Sequence, residues 1–158
     1  MKYLSEFDTS LDEIRGQLVV NEGWSEKEFS RVNIILKNYS PSIDVAAVDL
    51  KNLHGVLFKR GGCMVRLLEN PALMEHETFT ELLHAVFHLA EELGVRESLQ
   101  GLPETDYAHL RGDIKRVQYL LIREWLEYMQ HLKSAYPYLF SLAMRTNPFS
   151  NRESAVVQ

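Results

Sequence analysis

The sequence predicts an all-α protein, a bundle of five to six helices in one domain. Apolar residues recur at spacings of three and four along most of the chain, which is the repeat of a helix with one buried face. No segment alternates apolar and polar residues for more than a few positions, as a half-buried strand would. Apolar residues make up 46% of the chain and charged residues 25%, which excludes a disordered protein.

The first predicted helix carries an apolar seam with the 3.5-residue repeat of a coiled coil. The seam consists of Leu4, Phe7, Leu11, Ile14 and Leu18. It is broader than one small bundle needs, so we expect these five residues to lie at an interface between copies of the chain.

The second predicted helix begins with a capping box. Ser25 can accept a hydrogen bond from the third helical amide, while Glu28 reaches back to the cap. The helix should end near Tyr39, because Pro41 disfavours helical geometry in the residue before it.

The third predicted helix is capped by Asp49 and extends to Leu68. Two adjacent glycines, Gly61 and Gly62, each cost about 1 kcal/mol relative to alanine in a helix. A kink or break is therefore expected at this pair, and the neighbouring Cys63 is expected to be a buried thiol.

The fourth predicted helix has the clearest apolar stripe, from Phe79 to Leu93. Gly94 is expected in the left-handed position that commonly ends a helix. A connector follows, with a short helical turn at residues 97–100, before a long helix opens at Thr105 and closes at Pro137. A last short helix completes a domain over residues 1–146, and residues 147–158 are expected to form a loose tail.

The C-terminal end is rich in aromatic residues. Trp125, Tyr128 and Phe140 follow the helical stripe and are expected in the core. Tyr138 and Phe149 lie at a helix start and in the tail, so they are predicted interface residues. The chain is expected to self-associate, as a dimer first and a tetramer second, because two-fold closure is the commonest symmetry.

The net charge and the N-terminal sequence indicate which classes of partner and compartment to expect. The 22 acidic residues exceed the 17 basic ones, and a net charge of -5 argues against nucleic-acid binding. Residues 51–66 hold four basic residues and no acid, whereas residues 75–106 hold eight acids and one arginine. These segments could attract each other within one chain or across a subunit contact. Without a leader or a membrane-length apolar stretch, we expect a cytoplasmic protein with no transmembrane segment.

One helix face could hold a metal ion. Glu77, Glu81, His84 and His88 recur at spacings of four, three and four on the fourth helix. Glu81 and His84 form the Glu-x-x-His pair of di-iron bundles, but the second pair that such sites need is missing. We therefore expect no cofactor and at most weakly bound metal, with a metal-binding bundle built on Glu81, His84 and His88 as the alternative function.

No catalytic constellation is evident in the sequence. It contains no glycine-rich phosphate loop, nucleophile elbow or paired zinc motif. His109 lies between Asp106 and Asp113, but acids near the first turn of a helix are explained by the helix dipole. A non-enzymatic interaction or regulatory domain is therefore the leading prediction, with an adaptor that docks another protein as a further possibility.

Several stretches together support a family resemblance. They are YLSEFDTSLDEIRG, EGWSEKEF, FKRGGCMVRLLENPALMEHETFTELLHAVFHLAEEL and REWLEYMQHLKSAYPYLFSLAMRTNPF. Their combination resembles the cytosolic helical region that follows the pore in certain two-transmembrane, potassium-channel-like proteins of archaea and bacteria. The resemblance implies a regulatory domain whose partner is the membrane portion of a channel or another protein. The sequence has no pore helices and no Thr-Val-Gly-Tyr-Gly filter, so this chain would not conduct ions alone.

Overall fold

A computed structural model describes residues 2–150, apart from the side chains of Lys2, Ala72 and Met74. The predicted all-α class is confirmed. The helices are α1 (Lys2–Ser5), α2 (Leu11–Arg15, continued by a 3-10 turn at Gly16–Leu18), α3 (Glu26–Lys37), α4 (Leu50–Leu68), α5 (Pro71–Met74), α6 (Glu77–Gly94), α7 (Glu104–Ala135) and α8 (Pro137–Arg145). Within this part of the chain, no helix combines the length and apolar character needed to cross a membrane.

The 32-residue helix α7 organises the core. Its first half packs with α4 and α6 in one hydrophobic cluster, through side chains such as Leu110, Ile114 and Val117. Its second half packs with α2 and α3 in another cluster, through Leu126 and Met129. One helix about 48 Å long therefore links the two halves of the core.

Two helix starts follow the predicted capping chemistry. The Ser25 amide donates to Glu28 Oε2 at 2.9 Å, and the Lys27 amide donates to Ser25 Oγ at 3.3 Å, which confirms the capping box of α3. At the start of α4, the Asn52 amide donates to Asp49 Oδ1 at 2.9 Å. These caps fix where both helices begin.

The prediction of one continuous first helix is wrong, because the chain leaves helical geometry around Asp8. This side chain is only 4% exposed and accepts hydrogen bonds from Ser10 Oγ at 2.9 Å, the Ser42 amide at 3.0 Å and the Tyr39 hydroxyl. Burial and the hydrogen bond to Asp8 raise the pKa of Tyr39. A buried carboxylate needs several hydrogen-bond donors. Tyr39 and Ser42 supply two of them to Asp8, at the point where the first helix is interrupted.

The exposed seam expected on the first helix is also not found. Leu4, Leu11, Ile14 and Leu18 are buried in the core of their own chain, and Phe7 packs partly buried against the first cluster. The interruption at Asp8 turns both short helices inward, so the four buried residues are not available to a second copy.

The expected break at Gly61 and Gly62 is wrong, because α4 continues from Leu50 to Leu68. Leu53 and Met64 are buried on either side of the pair and contribute to the first cluster. Burying a large apolar side chain stabilises by about 1.5–3 kcal/mol, which offsets about 1 kcal/mol per glycine. Cys63 lies on the outer face of the helix and is exposed, contrary to the buried thiol expected.

Gly94 is the last residue of α6 and does not adopt the left-handed conformation predicted for it. Glycine at this position allows α6 to approach α4 closely, because a Cβ atom here would lie 3.3 Å from His54 Nε2 on α4. Among the described residues, only Gly101 has a positive φ, of 67°. The predicted helical turn at residues 97–100 is absent and the connector is irregular there.

The C-terminal segment packs on the core beyond the predicted domain boundary. Trp125 and Phe140 are buried as predicted, whereas Tyr128 is 52% exposed, so its assignment to the core is wrong. Asn147 Nδ2 donates to the Leu18 carbonyl at 3.1 Å, and the Phe149 ring meets Trp125 edge-on at 5.0 Å. Residues 147–150 of the expected tail are therefore folded, and residues 151–158 lie outside the described residues.

Replacing Asp8 with alanine should lower the free energy of unfolding by about 2–4 kcal/mol, because the part-buried hydrogen bonds from Tyr39 and Ser42 lose their acceptor. Urea unfolding measures the change. Asp12→Ala is the matched control, since Asp12 is exposed and forms only a surface pair with Arg15, and its effect should stay within about 0.5 kcal/mol. Equal stabilities of the two variants would contradict this role for Asp8.

Candidate metal centre between helices α6 and α7

Two histidines and two carboxylates converge where the end of α6 packs against the start of α7. His88 and Glu92 lie one turn apart on α6, and His109 and Asp113 lie one turn apart on α7. The two helices run antiparallel, so each imidazole faces a carboxylate of the opposite helix. We call these four residues the α6–α7 cluster.

The four side chains of the α6–α7 cluster form a closed ring of contacts. Across the helices, His88 Nε2 lies 3.7 Å from Asp113 Oδ1, and His109 Nε2 lies 3.4 Å from Glu92 Oε2. Along each helix, the corresponding separations are 4.0 Å for His88 and Glu92 and 3.5 Å for His109 and Asp113. Ligand atoms about 2.1 Å from a tetrahedral metal ion lie about 3.4 Å from each other, and the cross-helix contact of His109 with Glu92 has this separation.

The cluster is open to solvent on the imidazole side and closed on the carboxylate side. The His88 and His109 side chains are about half exposed, whereas the Asp113 side chain is only 18% exposed. Asp113 Oδ2 is buried and accepts no hydrogen bond from the described residues. A buried carboxylate oxygen without a donor is costly, and a cation held in the ring would compensate it.

Arg96 holds one carboxylate of the cluster in place. Its guanidinium donates to both oxygens of Asp106, at 2.9 and 2.7 Å, and to Glu92 Oε2 at 2.8 Å. The Arg96 hydrogen bonds lower the pKa values of Glu92 and Asp106 from their ordinary range. Arg96 therefore keeps Glu92 ionised, fixes its orientation and ties the end of α6 to the first turn of α7.

The structure brings only one residue of the predicted metal set into this cluster. His88 belongs to it, whereas Glu81 pairs with Arg116 at 3.2 Å and His84 is exposed outside the cluster. Within the described part of the chain, His88, Glu92 and His109 are the group whose ligand atoms all lie within 4.8 Å of one another. The missed signal was a spacing of four between histidine and carboxylate that occurs on both helices.

The comparisons with known proteins identify the family. A family model described as "Uncharacterized protein MJ1433, C-terminal helical domain" matches residues 1–145. The chain belongs to this family.

One relative in the MJ1433 family is the uncharacterized protein MJ1433 of Methanocaldococcus jannaschii. It is 49% identical over 139 residues, which cover 88% of this chain and 56% of the relative. The chain thus spans a little over half the length of this relative. No solved structure matches the chain.

The resemblance to potassium-channel-like proteins is wrong. The stretches that suggested it lie almost entirely within residues 1–145, which match the MJ1433 helical domain, and neither comparison links the chain to a channel. A short amphipathic start followed by long helices is common to many helical domains, so the pattern did not distinguish the families.

Replacing Arg96 with glutamine should lower the melting temperature at neutral pH, and the difference from wild type should shrink in acid. Arg96 lowers the pKa of Asp106 below its ordinary value of 3.8, so the ion pair stabilises the fold above that value. This stabilisation is lost as the pH falls through the folded-state pKa. Thermal unfolding followed between neutral pH and about pH 3 tests this, in the range where carboxyl groups titrate.

Arg111→Gln is the control for this experiment, because Arg111 forms only an exposed pair with Glu104 at 3.5 Å. Its melting temperature should follow that of wild type at every pH. A gap for Arg96→Gln that stayed constant down to pH 3 would show that the ion pair is not its cause.

Proposed function

We propose that this chain is a non-enzymatic helical domain that binds one divalent transition-metal ion, with zinc preferred, at the α6–α7 cluster. The observation that carries the proposal is the convergence of His88, Glu92, His109 and Asp113 from two antiparallel helices. Metal binding was the alternative from the sequence, and here it involves a different set of ligands.

The donor set favours a transition metal over calcium or magnesium. Calcium and magnesium take oxygen ligands almost exclusively, whereas imidazole nitrogen suits zinc, copper, nickel and iron. Two carboxylates also supply the two negative charges that balance a divalent cation. Zinc fits best, because it accepts mixed nitrogen and oxygen ligands in a tetrahedron.

His88, Glu92 and His109 place ligand atoms within 4.8 Å of one another, and Asp113, which lies beside both histidines, would complete a four-ligand site with a structural role for the ion. Four protein ligands close a zinc site, whereas catalytic sites keep one position open for water or substrate. A bound ion would join the end of α6 to the start of α7, next to the link that Arg96 makes with Asp106. We therefore propose that the metal stabilises this helix pair and takes no part in a reaction.

Protein purified without a polyhistidine tag and stripped with a chelator should bind one zinc ion per chain in calorimetry. At a zinc concentration a hundred times the Kd, binding stabilises by about 2.7 kcal/mol, which should raise the melting temperature by about 5–10 °C. A variant with both His88→Ala and His109→Ala should lose the zinc-dependent increase.

His84→Ala is the matched control, because this exposed histidine lies on α6 one turn before His88 and outside the cluster. It should bind zinc as wild type does. Circular dichroism of the double variant without metal shows whether its fold is intact. No saturable binding to wild type, or equal binding to a folded double variant, would refute the proposal.

We also propose that the domain self-associates through the outer face of α8. Tyr138 is 92% exposed, and Leu139 and Leu142 on the same helix are about half exposed. Large exposed aromatic side chains commonly anchor contacts between proteins. This role does not depend on the metal site and is compatible with it.

Tyr138→Ala should reduce the mass of a wild-type dimer to that of the 18.3 kDa chain in light scattering, with little change in melting temperature. Phe149→Ala tests the other predicted interface residue, which the structure buries against Trp125. It should lower the free energy of unfolding by about 3–5 kcal/mol. A wild-type protein that stays monomeric at high concentration would exclude self-association.

A further inference from the structure

A second site of a different kind lies at the opposite end of the α6–α7 pair. A groove of about 540 Å³ opens between the first turn of α6 and the middle of α7, a volume typical of small-molecule sites. Its apolar wall includes Phe79, Leu121, Trp125 and Tyr128. From Thr78 to His88 is ten residues, or about 15 Å along α6, so this groove is separate from the metal cluster.

Two carboxylates of α7, Glu124 and Glu127, give the groove its charge. Glu127 is partnered, because it accepts a hydrogen bond from Thr78 Oγ1 at 3.2 Å and lies 3.8 Å from Arg123 Nη2. Glu124 forms no ion pair with any residue the structure describes, and its Oε1 is buried without a hydrogen bond. We call this site the Glu124 groove.

The Glu124 carboxylate is the unpaired charge of the site. Burial raises its pKa, the Thr78 hydroxyl beside it opposes this shift, and the neighbouring charge of Glu127 adds to it. The groove lining contains no lysine or arginine, and two exposed imidazoles, His76 and His131, complete its polar part. The charges of Arg123 and His76 also oppose the rise in the pKa of Glu124, but neither side chain forms an ion pair with it among the described residues.

The combination of unpaired carboxylate and aromatic wall selects the chemistry of an occupant. An anion would be repelled by both glutamates, and an uncharged apolar molecule would leave Glu124 Oε1 without a partner. A cation is attracted by the carboxylates and by aromatic faces, of which tryptophan is the strongest. An apolar group attached to that cation would cover the remaining wall.

We propose that the Glu124 groove binds a small organic ammonium ion. The cationic head lies beside Glu124 and Glu127, and the apolar part packs against Phe79, Trp125 and Tyr128. This site goes beyond the proposed metal function and does not rest on it.

Nuclear magnetic resonance of the two tryptophan side chains tests the site with an internal control. Trp125 lines the groove, whereas Trp24 packs edge-on against Phe29 and lines no part of it. The probes are benzylammonium and choline, each compared with an uncharged counterpart, benzyl alcohol or dimethylbutanol. At least one ammonium probe should shift the indole N–H signal of Trp125 in a saturable way, about tenfold more tightly than its uncharged counterpart, and leave Trp24 unchanged.

The charge of Glu124 is tested by Glu124→Gln, which keeps the shape of the side chain. Ammonium affinity should fall about tenfold, while the weak affinity for the uncharged counterpart should not change. Glu77→Gln is the control, since Glu77 is exposed at the start of α6 and lies outside the groove. Glu124→Gln should melt no lower than wild type at neutral pH, because it removes a poorly compensated charge, and this result confirms an intact fold.

Three results would overturn the proposal. The first is the absence of a saturable Trp125 shift with both ammonium probes. The second is equal affinity for charged and uncharged counterparts, which would indicate an apolar groove without cation selectivity. The third is unchanged ammonium affinity in a folded Glu124→Gln variant.

Discussion

The rest of the structure depends on the continuity of helix α7. Residues in the first half of this 32-residue helix belong to one hydrophobic cluster, and residues in its second half belong to the other. One rigid element therefore holds the two halves of the core in place relative to each other. Buried side chains of α7, from Leu110 to Leu132, follow the helical repeat throughout its length. The α6–α7 cluster and the Glu124 groove both include residues of α7 that lie beside this apolar stripe.

Sequence periodicity predicted the elements that depend on local chemistry. The capping residues Ser25 and Asp49, and the long helix that ends before Pro137, follow from propensities within a few residues. The errors arose where distant contacts decide the conformation. The donors that interrupt the first helix at Asp8 lie more than 30 residues away for Tyr39 and Ser42, so no local window includes them. Likewise, burial of Leu53 and Met64 keeps α4 continuous through its two glycines.

The α6–α7 cluster shows which part of a candidate site can be read from the sequence. The two pairs, His88 with Glu92 and His109 with Asp113, each have a spacing of four that can be read from the sequence. Their convergence depends on the register between two antiparallel helices, and periodicity within one helix does not determine that register. Arg96 is the residue that connects the helices here, and its two partners, Glu92 and Asp106, lie on different helices. The acids near His109 therefore have a specific partner in addition to the general effect of the helix dipole.

Some buried polar groups of this domain have hydrogen-bond partners, and others keep an atom without one. The partnered groups belong to the scaffold, whereas the two proposed sites each contain a carboxylate with an unpartnered oxygen. Asp8 accepts three hydrogen bonds, and Asn147 donates to Leu18 while accepting from the Phe149 amide. Such groups stabilise the fold because burial is compensated.

Asp113 and Glu124 each keep a buried oxygen without a donor, and both belong to α7 at the edge of the core. Gln118 and Arg145 also leave one atom unpartnered, but Gln118 is uncharged and its Nε2 donates to Ser5, and Arg145 Nε is a donor rather than a carboxylate oxygen. An uncompensated carboxylate is the costlier case, because removing a charge from water is more unfavourable than removing an amide. Asp113 and Glu124, each with one buried oxygen that accepts no hydrogen bond from the described residues, are therefore the positions where we expect a cation from outside the chain to gain most, a metal ion at Asp113 and an organic ammonium ion at Glu124.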